Sequence, residues 1–149
     1  MHLTIPKTAF LSAVMLGLST VALGQKTSPD FGKLEYESKC AVCHGLNGEG
    51  GGPFASELMH KPPADLTIIA RNNGGVFPVQ RVYEIIDGRS VEIQAHGPRF
   101  MPIWGVVYAA KAGEHLEAYP LEYYPVPPEK FARIRILMLT DYLNRIQKK

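Results

Sequence analysis

Cys40-Ala41-Val42-Cys43-His44 runs directly into Gly45-Leu46-Asn47-Gly48-Glu49-Gly50-Gly51-Gly52-Pro53, and the reading of this stretch decides how the chain folds. Two thiols three positions apart in one tight turn can reach both vinyl groups along one edge of a haem. The residue after the second thiol then lies beneath the iron, where His44 offers Nε2 as the first axial ligand. Cys40 and Cys43 are therefore candidate thioether attachments for one covalently bound haem c, and His44 a candidate metal ligand. Two other uses of the pair were weighed. A redox disulfide belongs with a βαβ pattern, which is not seen here, and does not require His in the next position. A structural zinc site needs two more soft ligands, and the chain has only 2 Cys.

A second axial donor is sought among Met59, His60, His96, Met101, His115 and Met138. Met59 and His60 follow the attachment site too closely for the chain to pass around to the opposite haem face. Met138 falls within the apolar pattern of the last helix, where packing is its expected role. His96 and Met101 share Ala95-His96-Gly97-Pro98-Arg99-Phe100-Met101-Pro102-Ile103-Trp104-Gly105, a Gly- and Pro-punctuated loop. Pro102 restricts Met101 to extended backbone and so holds its side chain in one direction. Met101 is the predicted sixth ligand and His96 the alternative; a thioether raises the reduction potential relative to a second imidazole. Arg71, Arg81 and Arg99 are candidates to pair with haem propionates, Arg99 first because it flanks the ligand loop. Trp104 is a candidate propionate donor through its indole N–H, against simple burial at the haem edge.

Residues 1–24 read as a signal peptide: Lys7 lies in the polar start, Ala9 to Val21 form the apolar stretch, and Ala22-Leu23-Gly24 is a small-x-small cleavage pattern. The alternative is a retained N-terminal membrane anchor, which needs about 20 apolar residues; Pro6, Lys7 and several Ser and Thr interrupt the run. Residues 25–149 form one mono-haem domain, with no membrane span expected in the mature chain. The 149 residues carry 16 Lys and Arg against 14 Asp and Glu. Such a balance excludes nucleic acid as an expected partner, since phosphate binding needs concentrated positive charge.

Asp30 is placed to cap a helix from about Phe31 to Ala41. Asp65 or Thr67 opens a short helix through Arg71, before the Asn72-Asn73-Gly74-Gly75 turn. Pro78 suits the first turn of a helix whose Val82, Ile85 and Ile86 recur until Asp87-Gly88 ends it. From Glu129 to about Gln147, the residues Phe131, Ile134, Met138, Tyr142 and Ile146 share one face. Between them, Tyr108, Tyr119, Tyr123 and Tyr124 with Pro120, Pro125, Pro127 and Pro128 make Val106–Pro128 aromatic and stiff, either a strap over the haem edge or core, or a docking surface.

These residues resemble a class I c-type cytochrome over most of the mature chain. Gly32 and Tyr36 match its N-terminal helix and Leu139 and Tyr142 its C-terminal helix, the two crossing where Gly permits close approach. Pro63-Ala64-Asp65-Leu66-Thr67 and Met101-Pro102-Ile103-Trp104-Gly105 resemble signatures of small bacterial mono-haem members. The resemblance implies an all-α cytochrome c fold of about four or five short helices around the haem, with a long loop before the C-terminal helix. It implies that the Pro53 carbonyl accepts the Nδ1 hydrogen of His44 and fixes its tautomer. The implied function is electron transfer in the periplasm, through a six-coordinate His/Met haem, with other redox proteins. The alternatives are a haem subunit fixed in a larger oxidoreductase through Val106–Pro128, and a peroxidase or gas sensor with a displaceable sixth ligand. A core this small, packed around a cofactor, is also expected to fold poorly without it.

Overall fold

The computed structural model describes residues 28–58, 62–89, 101–112 and 126–149. Residues 1–27 with the expected signal peptide, Met59, His60, His96, Arg99 and residues 113–125 of the Tyr/Pro segment, His115 included, lie outside them. Among the described residues the structure is helical, without strands, as an all-α chain requires. In chain order the helices are α1 (Phe31–Lys39), α2 (Ala41–His44), α3 (Pro53–Leu58), a 3₁₀ turn (Leu66–Ile68) continuing into α4 (Ile69–Asn72), α5 (Val79–Asp87), α6 (Trp104–Ala110) and α7 (Pro128–Arg145). No described helix is long and apolar enough to cross a membrane.

Local chemistry accounts for most of these boundaries. Asp30 caps α1 by accepting from the Lys33 N–H at 3.0 Å. Asp65 caps the 3₁₀ turn, accepting from the Thr67 N–H at 2.8 Å and the Thr67 hydroxyl at 2.6 Å. Pro78 precedes α5, and Gly88, with φ of 72°, ends it in the left-handed conformation. The helix expected to run unbroken to Ala41 instead breaks at Cys40, where the chain turns into α2. Trp104–Ala110 is helical, so the Val106–Pro128 segment begins as the body of α6 rather than as a strap.

The last helix organises the molecule, packing against α6, α1 and α5. It crosses α1 at Gly32, where a Cβ would run into the Met138 carbonyl oxygen and lie 3.0 Å from Tyr142 Cβ. Only glycine lets the two backbones approach so closely. Tyr36 and Tyr142 meet beside the crossing with ring centroids 5.1 Å apart. Arg145 then forks onto Asp30 at 2.7 and 2.8 Å, and the buried Glu35 pairs with Arg135.

The buried face of α7 overlaps the one its periodicity suggests: Tyr142 is buried, and Phe131 and Ile146 pack partly buried against the core. Ala132, Ile136, Leu139, Tyr142 and Leu143 are buried, whereas Ile134 is 42% exposed. The helix carries two adjacent apolar stripes, and its contacts with α1, α5 and α6 decide how far each is covered. Tyr36, Ile136 and Leu139, almost wholly enclosed, form the centre of the core together with Trp104 and Tyr108.

Candidate functional site

Cys40 stands at the bend between α1 and α2, its N–H bonded to the Tyr36 carbonyl at 2.8 Å and its own carbonyl accepting from the Cys43 and His44 N–H groups at 3.1 and 2.9 Å. This single turn places both thiols and the imidazole on one short scaffold. The turn after it closes tightly: the His44 carbonyl accepts from the Gly50 N–H at 2.8 Å and the Cys43 carbonyl from the Gly52 N–H at 3.1 Å. A Cβ at Gly52 would lie 2.5 Å from the Val42 carbonyl oxygen and 2.6 Å from that of Ala41. Glycine there is what allows the turn to fold back against α2. The Tyr36 hydroxyl donates to the Gly45 carbonyl at 2.6 Å, tying the same turn to α1.

His44 Nδ1 lies 3.2 Å from the Ala64 carbonyl oxygen. A carbonyl only accepts, so the bond requires the proton on Nδ1 and leaves the Nε2 lone pair available for a metal. The acceptor is therefore Ala64, where the resemblance pointed to Pro53; Pro53 instead opens α3. Ala64 is brought there by the stretch after Pro62-Pro63, which is bonded to the glycine turn through the Leu66 N–H and the Gly48 carbonyl at 2.7 Å. From the other side, Gln147 Nε2 donates to the Leu66 carbonyl at 2.7 Å, and the Lys148 N–H donates to the Thr67 carbonyl at 2.8 Å. Burial holds the His44 imidazole below its ordinary pKa, opposed in part by the bond to Ala64, so the neutral, ligating form is favoured.

The imidazole opens into a cavity of about 320 Å³, a size that suits a bound organic group. Cys40 and His44 line it with Leu139 and Leu143 of α7, Ile85 and Ile86 of α5, and Met101 from the segment before α6. Residues about sixty positions apart in sequence thus bring an imidazole and a thioether to one apolar cavity. Arg81 contributes a cation to the lining.

The donor set and the walls fit a haem. The flat macrocycle needs apolar surroundings, and an imidazole nitrogen with a thioether sulfur is among the donor pairs its iron takes. Burial, then Glu35 and Cys43, push the Cys40 thiol up to about 12. A neutral thioether suits so apolar a position better than a thiolate does. Among the described residues no three His, Cys, Asp or Glu side chains gather to hold a bare metal ion.

The remaining expectations fare differently. Trp104 is 8% exposed, stacked on Tyr108 at 5.5 Å in the core, and does not line the cavity. Arg99 is outside the described residues, whereas Arg81, ranked behind it, is on the cavity wall. Sequence reasoning missed Ala64, for which the stiff Pro62-Pro63 pair was the available signal. It also missed the role of Gln147, which had none. The chain matches no family model, no curated protein and no solved structure.

Proposed function

We propose that this chain is a c-type cytochrome that carries electrons through one haem attached at Cys40 and Cys43 and ligated by His44 and Met101. The observation that carries the proposal is the convergence of His44 and Met101 on the apolar cavity that Cys40 also lines. When bound, the haem supplies an iron that takes up and releases one electron. The chain does the rest. Cys40 and Cys43 would hold the haem as thioethers, each thiol adding across one vinyl double bond with sulfur on one carbon and the proton on the other, so that nothing leaves. Ala64 holds the imidazole in the ligating tautomer, the aliphatic walls exclude water, and the thioether closes the second face. The crossing of α1 and α7 at Gly32 supports a cytochrome c arrangement of the helices, and the leader supports work in the periplasm with redox proteins as partners.

The test is expression of the full chain with haem-attachment machinery. Haem is expected to stay with the chain on a denaturing gel and to be lost from the Cys40→Ala, Cys43→Ala double variant. Met101→Ala is expected to lose the thioether-to-iron charge-transfer band and to acquire a lower reduction potential, the ordering that thioether ligation imposes. An unchanged band in Met101→Ala overturns the ligand assignment. Fast carbon monoxide binding by the ferrous wild type at neutral pH overturns the carrier in favour of an open-site haem enzyme or sensor.

A further inference from the structure

Asp87 occupies a position that a carboxylate should avoid. It ends α5, where the unpaired carbonyls and the helix dipole disfavour negative charge, and it is 8% exposed, where an unpaired carboxylate is costly. Arg89 answers both problems. Its Nε donates to Oδ1 and its Nη2 to Oδ2, each at 2.7 Å, a planar fork matched to the carboxylate. Nη1 of the same side chain reaches Glu129 in the first turn of α7. Gly105, the second residue of α6, sits directly on this fork: a Cβ there would lie 2.5 Å from Arg89 Nε and 2.8 Å from each Asp87 carboxylate oxygen.

The start of α6 therefore rests on an ion pair that also joins the end of α5 to the start of α7. Little slack separates that seat from Met101. The Ile103 carbonyl accepts from the Val106 and Val107 N–H groups at 3.1 Å each, Trp104 is buried against Tyr108, and Pro102 restricts the backbone of Met101.

We infer that Asp87, Arg89 and Gly105 form a clamp that positions Met101 at the cavity. The pair is the fixed surface on which α6 seats, and the seating of α6 sets how far the thioether reaches. All three are positioning residues, since none lines the cavity. The inference rests on Met101 being the axial donor proposed above.

Imidazole titration of the ferric holo-protein tests it, because added imidazole competes with the thioether and the charge-transfer band reports the competition. Arg89→Lys, Asp87→Asn and Gly105→Ala are expected to lose half the band at about tenfold lower imidazole, a difference of about 1.4 kcal/mol in Met retention, with haem still covalently attached. Arg145→Gln breaks the comparable fork onto Asp30 and is expected to follow the wild-type curve. Clamp variants that match Arg145→Gln at equal loss of melting temperature overturn the inference. Should Gly105→Ala fail to fold, Arg89→Lys decides, since it keeps the charge and removes only the fork. A wild type lacking the band overturns the assignment of Met101 and the clamp with it; a wild type with the band and unresponsive variants overturns the clamp alone.

Discussion

Single residues do their work here through backbone groups as much as through side chains. The imidazole of His44 is oriented by a carbonyl, and the segment that presents that carbonyl is held by Gln147. Gln147 Nε2 donates to Leu66 and Leu143 carbonyls at 2.7 Å, and its Oε1 accepts from the Ala70 N–H at 2.9 Å. Replacing it with Ala leaves partly buried backbone groups without these bonds, each loss costing about 1 kcal/mol. Gln147→Ala is expected to lower holo-protein stability by about 1–3 kcal/mol in a denaturant titration. No change beyond 0.5 kcal/mol, the size of an ordinary surface substitution, would show that the Ala64 segment stands by itself. Such a role was invisible in the sequence because a carbonyl carries no side-chain signature and its partner lies 81 residues away. The attachment residues were legible for the opposite reason: Cys40, Cys43 and His44 are chemically distinct and act within one turn.

At the scale of helices, boundaries were legible and faces less so. Asp30, Asp65, Pro78 and Gly88 mark their helix ends through local bonds and backbone preferences that neighbouring residues suffice to determine. The buried side of α7 depended on a partner helix, and no local rule prefers the stripe through Ile136 and Leu139 to the one through Ile134 and Met138. Substitution separates the two. Leu139→Ala is expected to cost about 2–5 kcal/mol of stability and Ile134→Ala about 0.5 kcal/mol; comparable melting temperatures for both would contradict this burial. Helix ends also set the acid response. Arg89 hydrogen bonds hold the Asp87 carboxyl below its usual 3.8, so the native state resists protonation more than the unfolded chain does. That contribution is complete above about pH 4 and disappears as pH falls through the depressed value. The stability difference between wild type and Asp87→Asn is therefore expected to be constant above about pH 4 and to shrink below it, measured as denaturant midpoints across that range. A difference that grows toward acid would contradict the sign.

Considered whole, the molecule is built around the space it encloses. The cavity of about 320 Å³ is bordered by α1, α2, α5 and α7, so the principal helices meet one another partly through whatever fills it. Without an occupant the apolar side chains that line it stay in contact with water, and the burial that would join these helices is lost. The haem-free chain is therefore expected to lack a cooperative thermal transition in far-ultraviolet circular dichroism while the holo-protein melts sharply. Superimposable melts would refute the dependence.

The contacts of Gln147 and Lys148 with Leu66 and Thr67 also impose an order of events. As the chain folds, Gln147 must reach Leu66 across 81 positions and Arg145 must reach Asp30 across 115. Closing so long a loop is slow and comes late. Until those contacts close, the His44 imidazole is unbraced and the Cys40–His44 segment stays accessible.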